Sequence, residues 1–256
     1  MLFCASTEAQ QDSGVTNYLY TPHISNFDNL KDKGDIFFQI SSAALTNIDF
    51  PSARLAYSPF KNIGIGINYF SFSSSFNSIR AQETDAYIVS GELSYLSDVV
   101  LGERSLFRWQ ADFGYGAGKL RRSYQNNNTG EAMLGIQRIK LAASGMFEID
   151  FFGIGLGLSG SYFNYSNIGA FGEVSQTEVE RLDYLLSVAP AFLIDLNTRF
   201  EFGGEVAKLF FSWDFTLRGF ENENDNITDY LNNESIHLGF YILINKAINK
   251  IKIKRK

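Results

Sequence analysis

From about residue 35 onward, apolar residues alternate with small or polar residues along the chain. Between residues 152 and 162 the even positions are mostly large and apolar, whereas every odd position holds glycine or serine. Successive side chains of a β-strand point to opposite faces, so this alternation predicts a strand with one apolar face and one small or polar face. The same period recurs at 63–69, 107–117 and 236–244, and a helical period of 3.6 residues fits none of these segments.

The alternation predicts an all-β fold of about ten strands, with eight or twelve as the alternatives. Tight connections at 59–61, 150–151 and 196–197 alternate with long polar loops, which is typical of an antiparallel up-and-down transmembrane β-barrel with short periplasmic turns and longer outer loops. The long loops are predicted at 73–85, 121–131, 167–179 and 216–232. The strands are predicted near 35–45, 51–58, 62–72, 86–97, 105–120, 132–149, 152–166, 180–195, 198–214 and 233–246.

The residues on the two faces distinguish a membrane barrel from a soluble one. A soluble lipocalin-like barrel encloses its apolar face and exposes its polar face to water. Here the non-apolar face carries Gly-x-Gly runs at 114–118 and 153–157, which suit a crowded lumen, and the apolar face carries aromatic residues near strand ends, as in bilayer girdles. We therefore predict that the apolar face contacts lipid and that balanced charges pair in the lumen. The predicted lumen charges are Arg54, Glu92, Arg108, Asp112, Arg138, Lys140, Glu201 and Glu205.

Two residues depart from the simple alternation. Pro190 lies inside a predicted strand, where a proline removes a ladder hydrogen bond, so we predict a local irregularity there. Lys208 shares the lipid-facing parity of Phe210. Either a bulge after Gly203 and Gly204 shifts the register, or the Lys208 side chain extends to the membrane interface.

The last predicted strand resembles the closing signal of bacterial outer-membrane barrels, polar–x–Gly–x–x–apolar–x–apolar. His237, Gly239, Ile242 and Ile244 occupy the defined positions of that signal. The resemblance implies a bacterial outer-membrane location and insertion by the barrel-assembly machinery. An even strand count predicts that both termini are periplasmic. A basic tail at 247–256 would then lie against anionic head groups or a partner, and the alternative interpretation is a solvated, frayed chain end.

Residues 1–34 do not alternate and form a predicted N-terminal periplasmic segment, which precedes a barrel at 35–246. In this segment an apolar pair is followed by Cys4, which is similar to the end of a lipoprotein signal whose cysteine is acylated after cleavage. The alternative interpretation of Cys4 is an incidental free thiol near a chain end.

Short motifs in the first part of the chain resemble those of a set of small barrels from Bacteroidota-type bacteria. Tyr20-Thr21-Pro22, Lys33-Gly34-Asp35 and Ala56-Tyr57-Ser58-Pro59 correspond to the Tyr-x-Pro, Lys-Gly-Asp/Glu and Ala-Tyr-x-Pro motifs that follow a lipoprotein-like cysteine in that family. The resemblance is concentrated in residues 4–70. It implies an outer-membrane lipoprotein barrel without a settled activity.

The composition argues against several other functions. A net charge of −6 over 256 residues provides no overall basic field for nucleic acid, and a single cysteine cannot form an internal disulfide. His23 and His237 are the two histidines, which leaves little material for His-based catalysis or a polyhistidine metal site. His237 could serve as a base with Glu201, Glu205 or Ser41, but no nucleophile motif accompanies it. We therefore predict no enzyme activity, no metal and no cofactor.

These features predict an outer-membrane barrel that acts as a structural or interaction subunit. Its expected partners are membrane lipids and a protein of a larger outer-membrane complex, contacted through the outer loops, chiefly 167–179 and 216–232, or through the outer wall. About ten strands enclose a narrow interior, and balanced charges favour mutual pairing over an ion filter, so the lumen is predicted to be filled by side chains. The alternatives are a narrow pore or transporter for a small or apolar solute, a lipid-modifying enzyme and a soluble lipocalin-like binder.

Overall fold

The computed structural model describes residues 30, 32–43, 51–76, 82–124, 130–171, 191–218 and 234–254. In these ranges the chain forms β1 (Ile36–Ala43), β2 (Ser52–Phe60), β3 (Ile63–Phe76), β4 (Gln82–Val100), β5 (Ser105–Tyr124), β6 (Glu131–Ile149), β7 (Phe152–Phe171), β8 (Ala191–Gly203), β9 (Ala207–Arg218), β10 (Glu234–Leu243) and α1 (Ile244–Lys254). Each strand pairs antiparallel with its neighbours in sequence, and β1 pairs with β10 to close the sheet. The prediction of an all-β, up-and-down barrel with about ten strands is confirmed.

The strand order separates the connections into two ends of the barrel. One end, which we call the short-turn end, holds the connections at 61–62, 101–104, 150–151 and 204–206, and there β1 begins and β10 ends. Asn62 and Asp150 adopt φ values of 68° and 49° in the two-residue turns, a left-handed region that these residue types tolerate. The opposite, long-loop end holds the connections at 44–51, 77–81, 125–130, 172–190 and 219–233.

The tight turn predicted at 196–197 is wrong. Strand β8 runs through these positions, with Leu196 half-exposed and Asn197 buried as the alternation of a strand requires. The chain reverses at 204–206 instead. Gly203 has a φ of 144°, and a Cβ atom there would come within 2.5 Å of the Ala207 carbonyl oxygen, so a residue without a side chain is needed at this reversal.

The displaced turn changes which face the following residues occupy. Both Lys208 and Phe210 are buried inside the barrel, on the lumen-facing parity of β9. The lipid-facing assignment of Phe210 is therefore wrong. Lys208 departs from the predicted alternation because the chain turns at 204–206, and not because of a bulge within one strand. Pro190 lies outside the described residues.

The large apolar side chains of the strands point outward, as the alternation predicts. Leu156, Phe113 and Ile65 are 47–58% exposed on the outer wall, whereas their chain neighbours Gly155 and Asp112 are buried in the lumen. The barrel thus has an apolar outer wall and a polar, densely packed interior.

The end of the chain departs from the predicted strand at 233–246. Strand β10 stops at Leu243, and Ile244 begins α1, which continues to Lys254 through most of the predicted basic tail. None of the helical segments in the described part of the chain has the length and apolar character required to cross a membrane.

Candidate functional site in the barrel lumen

The structure brings seven of the eight predicted lumen charges into the barrel interior. Glu205 is the exception: it is exposed in the turn between β8 and β9, because the chain reverses there. Arg138 is half-buried, and the other six are almost completely buried: Arg54, Glu92, Arg108, Asp112, Lys140 and Glu201.

Glu92 is the centre of one ion-pair network near the middle of the lumen. Its Oε2 atom pairs with Arg54, and its Oε1 atom lies 3.5 Å from Lys140 Nζ. Arg54 also donates a hydrogen bond of 2.8 Å to Asn68 Oδ1. Two buried cations from β2 and β6 thus share one buried carboxylate, and this pairing lowers the penalty of burying each charge alone.

A second network extends across the short-turn end. The Arg108 guanidinium lies 2.9 Å from Asp98 Oδ1 and 3.0 Å from Glu148 Oε1. Lys208 Nζ bridges two carboxylates, at 2.8 Å from Glu148 Oε2 and 3.2 Å from Glu201 Oε2. Acidic and basic groups alternate through this chain of contacts, so it links strands β4, β5, β6, β8 and β9 by charge pairing.

Arg199 connects the second network to an aromatic stack. Its Nε atom lies 2.9 Å from Glu201 Oε1, and its guanidinium carbon lies 3.8 Å from the centre of the Phe210 ring. Tyr241 donates a hydrogen bond of 2.9 Å to Glu201 Oε2, and Arg199 donates one of 3.1 Å to Gln39 Oε1. The planar guanidinium is held by stacking on one face and by acceptors at its edges.

Several lumen charges were not predicted from the sequence. Asp195 and Arg199 have the same parity as Glu201 on one strand, so the alternation alone could have identified them. Lys208 and Asp214 required the position of the turn at 204–206, which the sequence pattern placed elsewhere.

An apolar layer fills the lumen on the long-loop side of the Glu92 network. It is formed by buried side chains from β3 to β8: Phe70, Ala86, Ile88, Leu120, Leu134, Ile136, Phe163, Tyr165 and Leu193. At the same height the outer faces of β5 to β7 carry exposed polar residues, among them Lys119, Gln137 and Asn164. In this part of β5 to β7 the pattern is therefore apolar inside and polar outside. Nearer the short-turn end the pattern is the reverse, with apolar residues outside and polar residues inside.

A smaller apolar cluster fills the short-turn end beside the second ion network. Leu30, which precedes the first strand, packs into it with Phe37, Ala56, Leu96, Phe210, Tyr241 and Leu243. The Leu30 methyl group would lie 2.9 Å from a Cβ atom added at Gly64, so the glycine leaves the space that this side chain occupies. The second ion network and this apolar cluster therefore occupy the lumen side by side at the short-turn end.

A small cavity lies between the Glu92 network and the apolar layer. Its volume is about 10 Å³, room for about one water molecule, and Asn68, Phe70, Ile88, Ser90, Glu92, Arg138 and Lys140 line it. Arg138 is held at its edge by hydrogen bonds of 2.9 and 3.1 Å to Ser161 Oγ and lies over the Phe163 ring. In the described part of the chain no group of three or more metal-ligating side chains is assembled.

His237 lies in the lumen beside Asp214, a carboxylate that was not among the groups considered from the sequence. Its Nε2 atom is 3.7 Å from Asp214 Oδ2, and the same carboxylate accepts a hydrogen bond from Asn197. Ser41 Oγ forms a hydrogen bond of 2.5 Å with Ser52 Oγ. Cys4 and His23 lie outside the described residues.

The predicted assembly signal spans the end of β10 and the start of α1. His237, Gly239 and Ile242 lie in the strand, whereas Ile244 is the first residue of the helix. A Cβ atom at Gly239 would overlap the Phe210 ring and come within 2.5 Å of the Ile40 carbonyl oxygen. Gly239 thus has a packing role in the folded barrel.

We expect Gly239→Ala to lower the free energy of unfolding by about 1–3 kcal/mol, the usual cost of overpacking. The measurement is urea unfolding of the purified barrel in lipid vesicles, without assembly machinery. Gly91→Ala is the matched control, since a Cβ atom at this strand glycine meets nothing within 4 Å. Equal stability of the two variants would contradict the packing role of Gly239.

No protein-family model matches the sequence, and no curated protein is significantly similar to it. The fold is similar to the translocator domain of the autotransporter NalP from Neisseria meningitidis, with 9% identity, 82% of this chain and 87% of that chain covered, and a TM-score of 0.38. It is also similar to an outer membrane channel from Pseudomonas putida F1, with 11% identity, 86% and 100% of the two chains covered, and a TM-score of 0.38. Neither similarity is strong enough to indicate a role for this chain.

Proposed function

We propose that this protein is an outer-membrane β-barrel that acts as a structural or interaction subunit, with a lumen filled by its own side chains. The outer wall supports the membrane location. On β7 the outward positions from Phe152 to Tyr162 are apolar or glycine, a span that matches the roughly 9–11 residues needed by a tilted strand to cross a bilayer. A closed barrel leaves no unpaired strand edge in lipid.

Aromatic side chains at two heights support the same location. Tyr57, Tyr95 and Trp109 are exposed near the short-turn end, and Tyr69 and Tyr162 are exposed toward the long-loop end. Tyrosine and tryptophan concentrate at both interfaces of a bilayer, where the ring contacts lipid and the polar group contacts water. The two levels bound the apolar wall on both sides.

The burial of the lumen charges carries the proposal of a filled interior. In the described part of the chain, ten charged side chains inside the barrel are only 0–8% exposed, although the barrel has an aqueous compartment at each end: Arg54, Glu92, Arg108, Asp112, Lys140, Asp195, Arg199, Glu201, Lys208 and Asp214. In a water-filled pore such groups would be solvated. Buried charges are tolerated when they are paired, as around Glu92 and Glu201.

The long strands support an interaction role at the long-loop end. Strands β4 to β7 contain 19 or 20 residues, about twice what a bilayer crossing needs. Near the long-loop end, β5 to β7 have the polar-outside, apolar-inside pattern of a soluble sheet, which suits a rigid platform above the membrane. The loops 172–190 and 219–233, which contain most of the predicted interaction loops, lie outside the described residues.

The remaining parts of the proposal follow from the sequence. They comprise an absence of catalysis, insertion by the barrel-assembly machinery, periplasmic termini, acylation of Cys4 and an origin in a Bacteroidota-type bacterium. The placement of both ends of the strand series at the short-turn end is consistent with a single aqueous compartment for the segments before β1 and after β10.

Planar-bilayer recording of the purified protein tests the filled lumen. We expect no steady conductance, because among the described residues the paired charges and the apolar layer fill the lumen that a water-filled path would have to cross. Steady conductance that changes in Arg108→Ala or Glu92→Gln would contradict this and favour the narrow pore. Heat-modifiable electrophoretic migration of each variant verifies that the recorded protein is a folded barrel.

A further inference from the structure

Helix α1 is amphipathic and basic. Ile244, Ala247 and Ile248 are spaced three and four residues apart and therefore share one face, whereas Lys246 and Lys250 share another. Ile248 is 46% exposed even though it is a large apolar residue. An apolar stripe that is exposed to water, beside lysines, is the pattern of helices that lie in a membrane interface.

The first turn of α1 is fixed to the rim of the barrel. Asn245 Nδ2 donates a hydrogen bond of 2.7 Å to Asp35 Oδ1, and the backbone N–H of Ile36 donates one of 3.4 Å to Asn245 Oδ1. The helix contacts β1 and β10, the two strands that close the barrel. It therefore starts at a defined position on the rim of the barrel, and on the adjoining end of β10 Phe240 is exposed and Ile242 is half-exposed.

We propose that α1 lies in the head-group region of the leaflet at the short-turn end, with Ala247 and Ile248 toward the acyl chains and Lys246 and Lys250 on anionic phospholipid head groups. The proposal rests on the membrane location proposed above, because the apolar wall beside α1 is then in lipid.

The charge of this segment favours binding of α1 to anionic lipid over binding to a zwitterionic surface. From Ile244 to the last residue the sequence contains six basic residues and no acidic residue. Each lysine near an anionic surface contributes about 1 kcal/mol to binding, an attraction that falls off within a Debye length. A zwitterionic surface offers no such attraction, so the bound state of α1 should depend on lipid charge and on salt.

The test places a fluorescent label on α1 in the full-length protein. Cys4→Ser removes the single native cysteine, and Ile248→Cys then carries an environment-sensitive fluorophore. Asn249→Cys is the matched control, since it is the next residue on the same helix and lies away from the apolar stripe. Both proteins are reconstituted into vesicles of phosphatidylcholine alone or of phosphatidylcholine with phosphatidylglycerol, with a quencher attached to the lipid tails.

We expect the label at 248, and not that at 249, to shift to the blue and to be quenched in the anionic vesicles. Lys246→Gln with Lys250→Gln should lower the ratio of lipid-bound to released helix by about 30-fold, which corresponds to about 1 kcal/mol for each lysine. High salt should act in the same direction.

Two different failures are distinguishable. A protein that remains outside both kinds of vesicle, without a protease-resistant and heat-modifiable barrel, would overturn the membrane location and this inference with it. An inserted barrel whose label at 248 is unquenched, or is quenched equally in both vesicles and in the lysine variant, would overturn the inference alone.

Discussion

Glu92→Gln is expected to lower the free energy of unfolding by about 3–5 kcal/mol, the usual effect of removing one partner of a buried ion pair. The substitution keeps the volume of the side chain but removes the carboxylate that Arg54 and Lys140 share in the lumen. The two cations would then repel each other in an interior that contains little water. Urea unfolding in lipid vesicles, followed by tryptophan fluorescence, measures the loss.

An exposed ion pair on the outer face of the same barrel provides the control. Arg121 pairs with Glu131 near the long-loop end, and their side chains are 51% and 38% exposed. Glu131→Gln should cost at most about 1 kcal/mol, because water and salt already screen this pair. Similar losses for Glu92→Gln and Glu131→Gln would mean that the lumen is wet, in contradiction to the filled interior.

Leu156→Arg is expected to cost about 2–4 kcal/mol, the penalty for an arginine on the lipid face near the bilayer midplane. Leu156 lies near the centre of the apolar stretch of β7, on the outer wall. The guanidinium would have to reach water along the wall or draw water into the bilayer. The measurement is the unfolding free energy in vesicles, supported by the fraction of protein that inserts.

Asn164→Arg is the control that tests whether the cost of Leu156→Arg depends on depth in the membrane. Asn164 lies on the same strand and the same outer face, but above the apolar stretch, where it is already exposed and polar. Its replacement should cost no more than about 1 kcal/mol, as near a bilayer interface. If Leu156→Arg were as stable as Asn164→Arg, the apolar wall would not be in contact with lipid.

The period of the sequence was sufficient to predict the barrel and the facing of most strands. A residue such as Asp112 between Ala111 and Phe113 can occupy only one face, since a shift by one residue would move every apolar side chain of the strand to the lumen. Because this constraint is local and repeated along each strand, seven of the eight predicted lumen charges lie in the interior. The turn predicted at 196–197 was wrong, because the local signal there did not show that the chain reverses at 204–206.

Features that depend on contacts between distant strands could be found only in the tertiary structure. The pairing of Glu92 with Arg54 and Lys140, and of Lys208 with two carboxylates, joins residues up to 60 positions apart in sequence. The hydrogen bond that Asn245 donates to Asp35 fixes α1 to the rim, whereas the sequence predicted a continued strand and a basic tail. The sequence by itself determined which face each strand presents, because that depends on neighbouring residues. The tertiary structure decided which charges meet and where the lumen is filled, because those depend on the register and closure of the whole barrel.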